Sequence, residues 1–320
     1  MSLLITGATG FVGRNLILRA LAGSETVHAV VRDEPKLRTQ LKAENAATDQ
    51  LQILPVRPDL WPVITPARAV LSAGVLFGRS REEYFATNVD WTLSIIRALP
   101  EHCRIVILSS LAAAGPTPDG ISALRESDED HPITWYGKSK LALEQAVRAE
   151  FPHRHITILR PPMIFGPRDS ATLPIFRMTR GPLRFKPGLA DKHYSFIAVD
   201  DLIDAIFAAL DSPQPLPTCY VAYPTPISDR ELITSSSEKA GLILPIPYSF
   251  LKPVAAVVDA LPALRKAIPS LSGDRVLEVW ADRWVVDSSK FIALTGLQPR
   301  RGLQETMKAT RAYYLREGLL

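Results

Sequence analysis

The first twenty residues constrain the fold most. A short apolar run, Ser2-Leu3-Leu4-Ile5, breaks into Thr6-Gly7-Ala8-Thr9-Gly10-Phe11-Val12-Gly13, and a segment with an apolar stripe follows from Phe11 to Leu21. An apolar run of that length reads as a strand buried on both faces, as in a parallel sheet, and the striped segment reads as a helix. Glycine at every third position lets the intervening backbone turn tightly and approach a bound group closely. The helix that follows presents unpaired amides and its positive end to the same place. Strand, glycine turn and helix together open a doubly wound α/β sheet, and the turn lies where such a sheet holds a dinucleotide pyrophosphate. Gly7, Thr9, Gly10, Phe11, Val12 and Gly13 are the candidate contacts.

Thr26-Val27-His28-Ala29-Val30-Val31 is the second strand, and Arg32-Asp33-Glu34-Pro35-Lys36 follows it. An acidic residue near this strand end bonds a ribose 2′-hydroxyl, whereas a cation there suits a 2′-phosphate. Arg32 stands first, with Lys36 behind it, so NADP(H) is expected over NAD(H). Asp33 on the ribose is the competing arrangement.

Tyr136 and Lys140 lie four residues apart in Trp135-Tyr136-Gly137-Lys138-Ser139-Lys140. Four residues make about one helical turn, so phenol and ammonium share a face. A nearby cation favours the phenolate and is expected to lower the tyrosine pKa toward neutrality. A tyrosine so tuned can exchange a proton with a substrate oxygen. Cys103 to Leu108 reads as a strand with Ser109-Ser110 at its carboxyl end, where ligands of open α/β sheets bind.

These features resemble the extended short-chain dehydrogenase/reductases, the NAD-dependent epimerase/dehydratase family, over nearly the whole length. Five further segments carry the resemblance: Pro58-Asp59-Leu60, Tyr84 to Thr92 with Asn88, Leu108 to Gly115, Leu159 to Pro167, and Tyr194 to Leu202. By resemblance Ser110 bonds the substrate oxygen, Tyr136 is the acid/base, and Lys140 holds the nicotinamide ribose. The resemblance also implies cofactor contacts by Asp59 and Leu60 at the adenine, by Ser72, Ala73 and Gly74 after the fourth strand, by Asn88, and by Pro161 and Met163 beside the nicotinamide. Where family members often carry His-Leu-Ala-Ala, this chain has Leu71-Ser72-Ala73-Gly74. Leu111-Ala112 follows the catalytic hydroxyl in place of the dehydratases' acidic pair. Met163 replaces the Asn that contacts a sugar-nucleotide diphosphate. The Arg160-Pro161-Pro162 form is more similar to the dihydroflavonol-reductase and 3β-hydroxysteroid-dehydrogenase branches. The expectation is an oxidoreductase interconverting a hydroxyl and a ketone or aldehyde on a small, apolar substrate. The alternatives are a nucleotide-sugar epimerase with tightly bound NAD and a non-catalytic NADP sensor.

The 320 residues, 47% hydrophobic and 22% charged, supply one cofactor-binding unit and an appended lobe. The expected division is 1–165 plus 196–223 for cofactor, and 166–195 plus 224–320 for substrate. A net charge of +4 without basic runs interleaved with aromatics excludes a nucleic-acid binder. Cys103 and Cys219 read as buried thiols of a reducing compartment, with no metal site. No signal peptide is visible, so a cytoplasmic protein is expected. The apolar stretch Ala240 to Leu264 is broken by charge and proline, falls short of a spanning helix, and is expected to be a buried part of the substrate lobe. Helices over 82–99 and 136–150, with Trp91 and Ile95 on one face, offer a homodimer surface, with simple core packing as the other reading.

Overall fold

The computed structural model describes residues 2–72, 79–261, 263–264 and 272–320. Seven parallel strands form the central sheet: β1 (Ser2–Ile5), β2 (Thr26–Val31), β3 (Leu51–Pro55), β4 (Arg68–Leu71), β5 (Arg104–Leu108), β6 (Ile156–Arg160) and the short Cys219–Tyr220. Their spatial order is Cys219–Tyr220, β6, β5, β4, β1, β2, β3. The chain therefore winds outward in both directions from β1. The crevice between the carboxyl ends of β1 and β4 is the switch point, where open α/β sheets take their ligands.

Both faces are covered, which is why the strands read as apolar runs without alternation. Helices Phe11–Ala22 and Val199–Asp211 pack on one face with Leu16, Ile17, Leu202 and Ile206 buried. Trp91–Ala98 and Trp135–Glu150 cover the other with Ile95, Ile96, Leu143 and Val147. Trp91 and Ile95 thus turn inward: Ile95 is fully buried, and the Trp91 indole donates to Val56 O at 2.7 Å. Both cysteines are buried and free.

Ser80 caps the next helix with a reciprocal Glu83 bond. That helix, Arg81–Phe85, passes through a widened turn at Ala86–Asp90 before resuming at Trp91. Widened helical turns accompany functional sites, and this one contains Asn88.

Beyond the sheet, Met163–Phe165 pairs in parallel with Phe196–Ala198, and a third apolar cluster gathers Phe165, Phe176, Phe196, Trp284 and Tyr314. Leu183–Pro187 pairs in parallel with Leu242–Ile246, which leads through Pro247 into the helix Tyr248–Ala260. The expected burial of Ala240 to Leu264 fails here. Phe250 is 71% exposed, because this helix rests on its Ala255 and Val258 side and leaves another apolar side uncovered.

Candidate active site

The glycine loop leaves β1 at Thr6, whose hydroxyl accepts from Ser72 N at 2.9 Å and so ties the ends of β1 and β4 together. Gly7 follows with φ +65, a left-handed conformation that disfavours a side chain. A Cβ on Gly7 would also run into the carbonyl oxygen of Ser72. Gly10 precedes the first helical residue without any side-chain cap, so the first amides of Phe11–Ala22 lack a side-chain partner. Thr9, Phe11 and Val12 are half-buried around this end and Gly13 is buried beneath it. The close backbone approach and the uncapped helix start fit a bound pyrophosphate.

Arg32 and Lys36 are exposed past the end of β2. Asp33 caps the helix Glu34–Ala43, accepting from Lys36 N at 2.9 Å. Asp59 and Leu60 lie on the short turn Pro58–Leu60; both are exposed, and Asp59 pairs with Arg57 at 2.6 Å. Ala73 and Gly74 lie outside the described residues.

Ser110 stands just past β5 in extended backbone, and its hydroxyl accepts from Ala112 N at 3.1 Å. The same hydroxyl faces the Tyr136 phenol closely enough to act on its titration. The two meet because Thr134 caps the Tyr136 helix through Gly137 N at 3.0 Å, and Gly137 lets that helix press against the Ser110 turn. A Cβ on Gly137 would strike Ala112 O. Tyr84 packs on the phenol from the helix opposite, its ring centroid 6.3 Å away. Pro161 accepts from Leu111 N at 2.9 Å and holds the turn from β6, while Met163 sits half-buried against the third apolar cluster.

Lys140 is 2% exposed, donates Nζ to Leu108 O at 2.9 Å, and lies 5.8 Å from the Tyr136 ring centroid. Burial pulls its pKa down to about 8, against the field of Glu144. The expected lowering of the tyrosine pKa does not occur. Burial pushes the Tyr136 phenol up; the Ser110 hydroxyl opposes this, and Glu278 and Tyr84 add to it. The buried ring loses hydration, and the Lys140 ammonium is anchored on a β5 carbonyl. Burial therefore favours the neutral phenol.

Asn88 is fully buried and donates Nδ2 to Ser139 Oγ at 2.8 Å, and Ser139 donates to Tyr136 O at 2.7 Å. It therefore lies behind the Tyr136 helix and fixes its approach.

Sequence reasoning missed two groups. Glu144, fully buried one turn past Lys140, accepts from Arg160 at 2.9 and 2.8 Å and from the Ser109 hydroxyl. Arg160 also grips Asp130 at 2.6 and 2.8 Å. The Tyr136 helix, β6 and the Ser109-Ser110 end of β5 are thus clamped by one ionic cluster. The spacing 136, 140, 144 was its signal. The second is Glu278, paired with Arg275 at 3.0 Å on the helix Gly273–Trp280, whose charge acts on Tyr136.

The glycine-lined switch point thus lies in one molecule with Ser110, Tyr136 and Lys140 at the end of β5. Residues 3–221 match the model of the NAD dependent epimerase/dehydratase family, and the chain belongs to that family. It is similar to ceramide reductase of Caulobacter vibrioides (30% identity over 191 residues, 56% of this chain and 51% of that protein). It is also similar to sterol demethylase protein B of Methylococcus capsulatus (29% over 222 residues, 66% of each). The matched region spans about half to two thirds of those relatives' length. The crystal structure of UDP-glucuronic acid 4-epimerase from Bacillus cereus, in complex with UDP-glucuronic acid and NAD, shares the fold with a TM-score of 0.74 at 18% identity (99% of this chain, 100% of that one).

Proposed function

We propose that the chain is an NADP(H)-dependent oxidoreductase that interconverts a hydroxyl and a ketone or aldehyde on an apolar substrate. The observation that carries this reading is the meeting of Ser110 and Tyr136 at the carboxyl end of β5, where Gly137 presses the Tyr136 helix onto the Ser110 turn, with Lys140 on the same helix face. The glycine loop would hold the pyrophosphate, Arg32 and Lys36 the 2′-phosphate, and Lys140 the nicotinamide ribose. When bound, the cofactor supplies or accepts the hydride at the substrate carbon. The chain's own residues do the rest. Ser110 donates to the substrate oxygen and polarises its bond to carbon. Tyr136, protonated in this environment, delivers a proton to that oxygen during reduction and takes it back during oxidation. Lys140, already pulled to about 8 by burial, can relay the proton near neutral pH.

Met163, where sugar-nucleotide members carry an Asn that contacts the diphosphate, supports an apolar substrate over a nucleotide sugar. A ketoreductase requires added coenzyme, whereas an epimerase turns over with coenzyme it carries.

Tyr136→Phe is expected to keep NADPH affinity and to lose turnover by about 10²–10⁴-fold. Binding is read by quenching of nicotinamide fluorescence, and turnover by absorbance over a panel of ketones and sterol-like alcohols. A variant that reduces a verified substrate at the wild-type rate ends the assignment.

A further inference from the structure

The ionic cluster beneath the Tyr136 helix holds one acid more than its arginine needs. Asp130 takes both terminal nitrogens of Arg160, at 2.6 and 2.8 Å, and so pairs that guanidinium on its own. Glu144 is bound to the same arginine at 2.9 and 2.8 Å and accepts from the Ser109 hydroxyl, with no part of it open to water. A carboxylate placed wholly out of water is costly unless a cation balances it. One acid balances one arginine, so the charge of Glu144 is left over. The buried cation that matches it is Lys140, one turn back on the same helix face and 2% exposed.

The groups set around Lys140 among the described residues agree with this pairing. On its own helix stand Tyr136 and Glu144, and Tyr84 packs on the Tyr136 ring from the helix Arg81–Phe85. β5 offers Leu108 O, which takes Nζ at 2.9 Å, and the hydroxyls of Ser109 and Ser110. β6 brings Arg160, and the loop ahead of the helix brings Asp130. The field of Glu144 opposes the loss of charge that burial favours in Lys140. Arg148, 3.5 Å from Glu144, is half exposed and so screened by water. Lys140 and Arg160 against Glu144 and Asp130 leave the set neutral; without Glu144 it carries a surplus positive charge. The carboxylate also fixes place. Ser109, which donates to it, lies between Leu108, the anchor of Lys140, and Ser110.

We propose that Glu144 is a positioning residue of this site: held by Arg160 and Ser109, its carboxylate keeps the buried Lys140 an ammonium at neutral pH and fixes the β5 end on which Lys140 and Ser110 rest. It acts through Lys140. Its consequence for turnover rests on the function proposed above; its hold on the Lys140 charge does not.

The test reads Lys140 directly. Protein carrying lysine labelled with ¹³C at Cε is titrated by NMR, and the Lys140 signal is identified by its loss in Lys140→Met. The wild-type midpoint is expected at about 8. Glu144→Gln, which keeps the shape and removes the charge, is expected to lower that midpoint by about one pH unit or more. Glu144→Asp, which keeps the charge and shortens the reach to Arg160, is expected to melt earlier than wild type yet to hold the midpoint close to it. If Glu144→Gln does not fold, Glu144→Gln combined with Arg160→Gln removes both charges of the inner pair, leaves the partly exposed Asp130, and is expected to move the midpoint in the same direction. A merely structural Glu144 would leave the midpoint unmoved in every variant. With a substrate in hand, the pH above which reduction fails is expected to fall with the midpoint. A midpoint that moves while turnover does not follow upholds the assignment of Glu144 and strikes the relay proposed for Lys140. The proposal is overturned if the Lys140 midpoint in folded Glu144→Gln, or in the double variant, equals that of wild type, or if Glu144→Asp lowers it as far as Glu144→Gln does.

Discussion

Gly7 and Lys140 show how much single positions carry. Gly7 combines a positive φ with a backbone oxygen at the place a Cβ would occupy. Gly7→Ala is therefore expected to cost about 1–3 kcal/mol of stability and to weaken dinucleotide binding, read by urea unfolding and by titration with NADPH. Lys140 makes a prediction with a definite sign. Its folded pKa of about 8 lies below the ordinary lysine value, so above pH 8 the native chain has released a proton that the unfolded chain still holds. Unfolding then takes up a proton, and stability from this group rises with pH from about 8 to 10. Urea unfolding of wild type and Lys140→Met across that range should show wild type gaining relative to the variant. Both residues were legible in the sequence, the glycine from its place between strand and helix, the lysine from its spacing to Tyr136. The direction of the Tyr136 shift was not, because spacing reports which groups are near and says nothing about how much water the fold removes.

Among the elements, the Tyr136 helix depends on three attachments: Thr134 at its start, Asn88 through Ser139 on its back, and Glu144 on Arg160 below. Glu144→Leu leaves Arg160 with Asp130 alone in a buried place. A loss of about 3–5 kcal/mol is expected, since one partner of a buried ion cluster remains uncompensated; chemical denaturation measures it. The span of this helix, 136–150, was readable here, because a proline just past its end is a local signal. The ionic cluster was not, since Asp130 and Arg160 come to Glu144 from a loop and a strand distant in sequence. Asn88 shows the same limit. Its motif was visible, but whether its amide faces the cofactor or the neighbouring helix depends on how two helices meet.

At the scale of the molecule, the parallel sheet, its switch point and the glycine loop could be read from apolar runs alternating with helical stripes. The strand pair Leu183–Pro187 and Leu242–Ile246 could not. A strand reading Leu-Arg-Phe-Lys alternates in the same way whichever side faces the interior, and only the positions of Asp191 and Asp229 turned its cations inward. The stretch from Ala240 to Leu264 was expected to be buried for the same reason: an apolar helical stripe records a surface that avoids water, without recording what covers it. The account as a whole joins two halves, a glycine-lined cradle on one side of the switch point and a serine–tyrosine pair at the end of β5. One measurement examines that joint directly, a crystal structure of the chain grown with NADP⁺. The nicotinamide ring is expected within about 4 Å of the Tyr136 hydroxyl, with the 2′-phosphate on Arg32. A dinucleotide bound along the glycine loop with its ring turned away from Tyr136 would contradict the account.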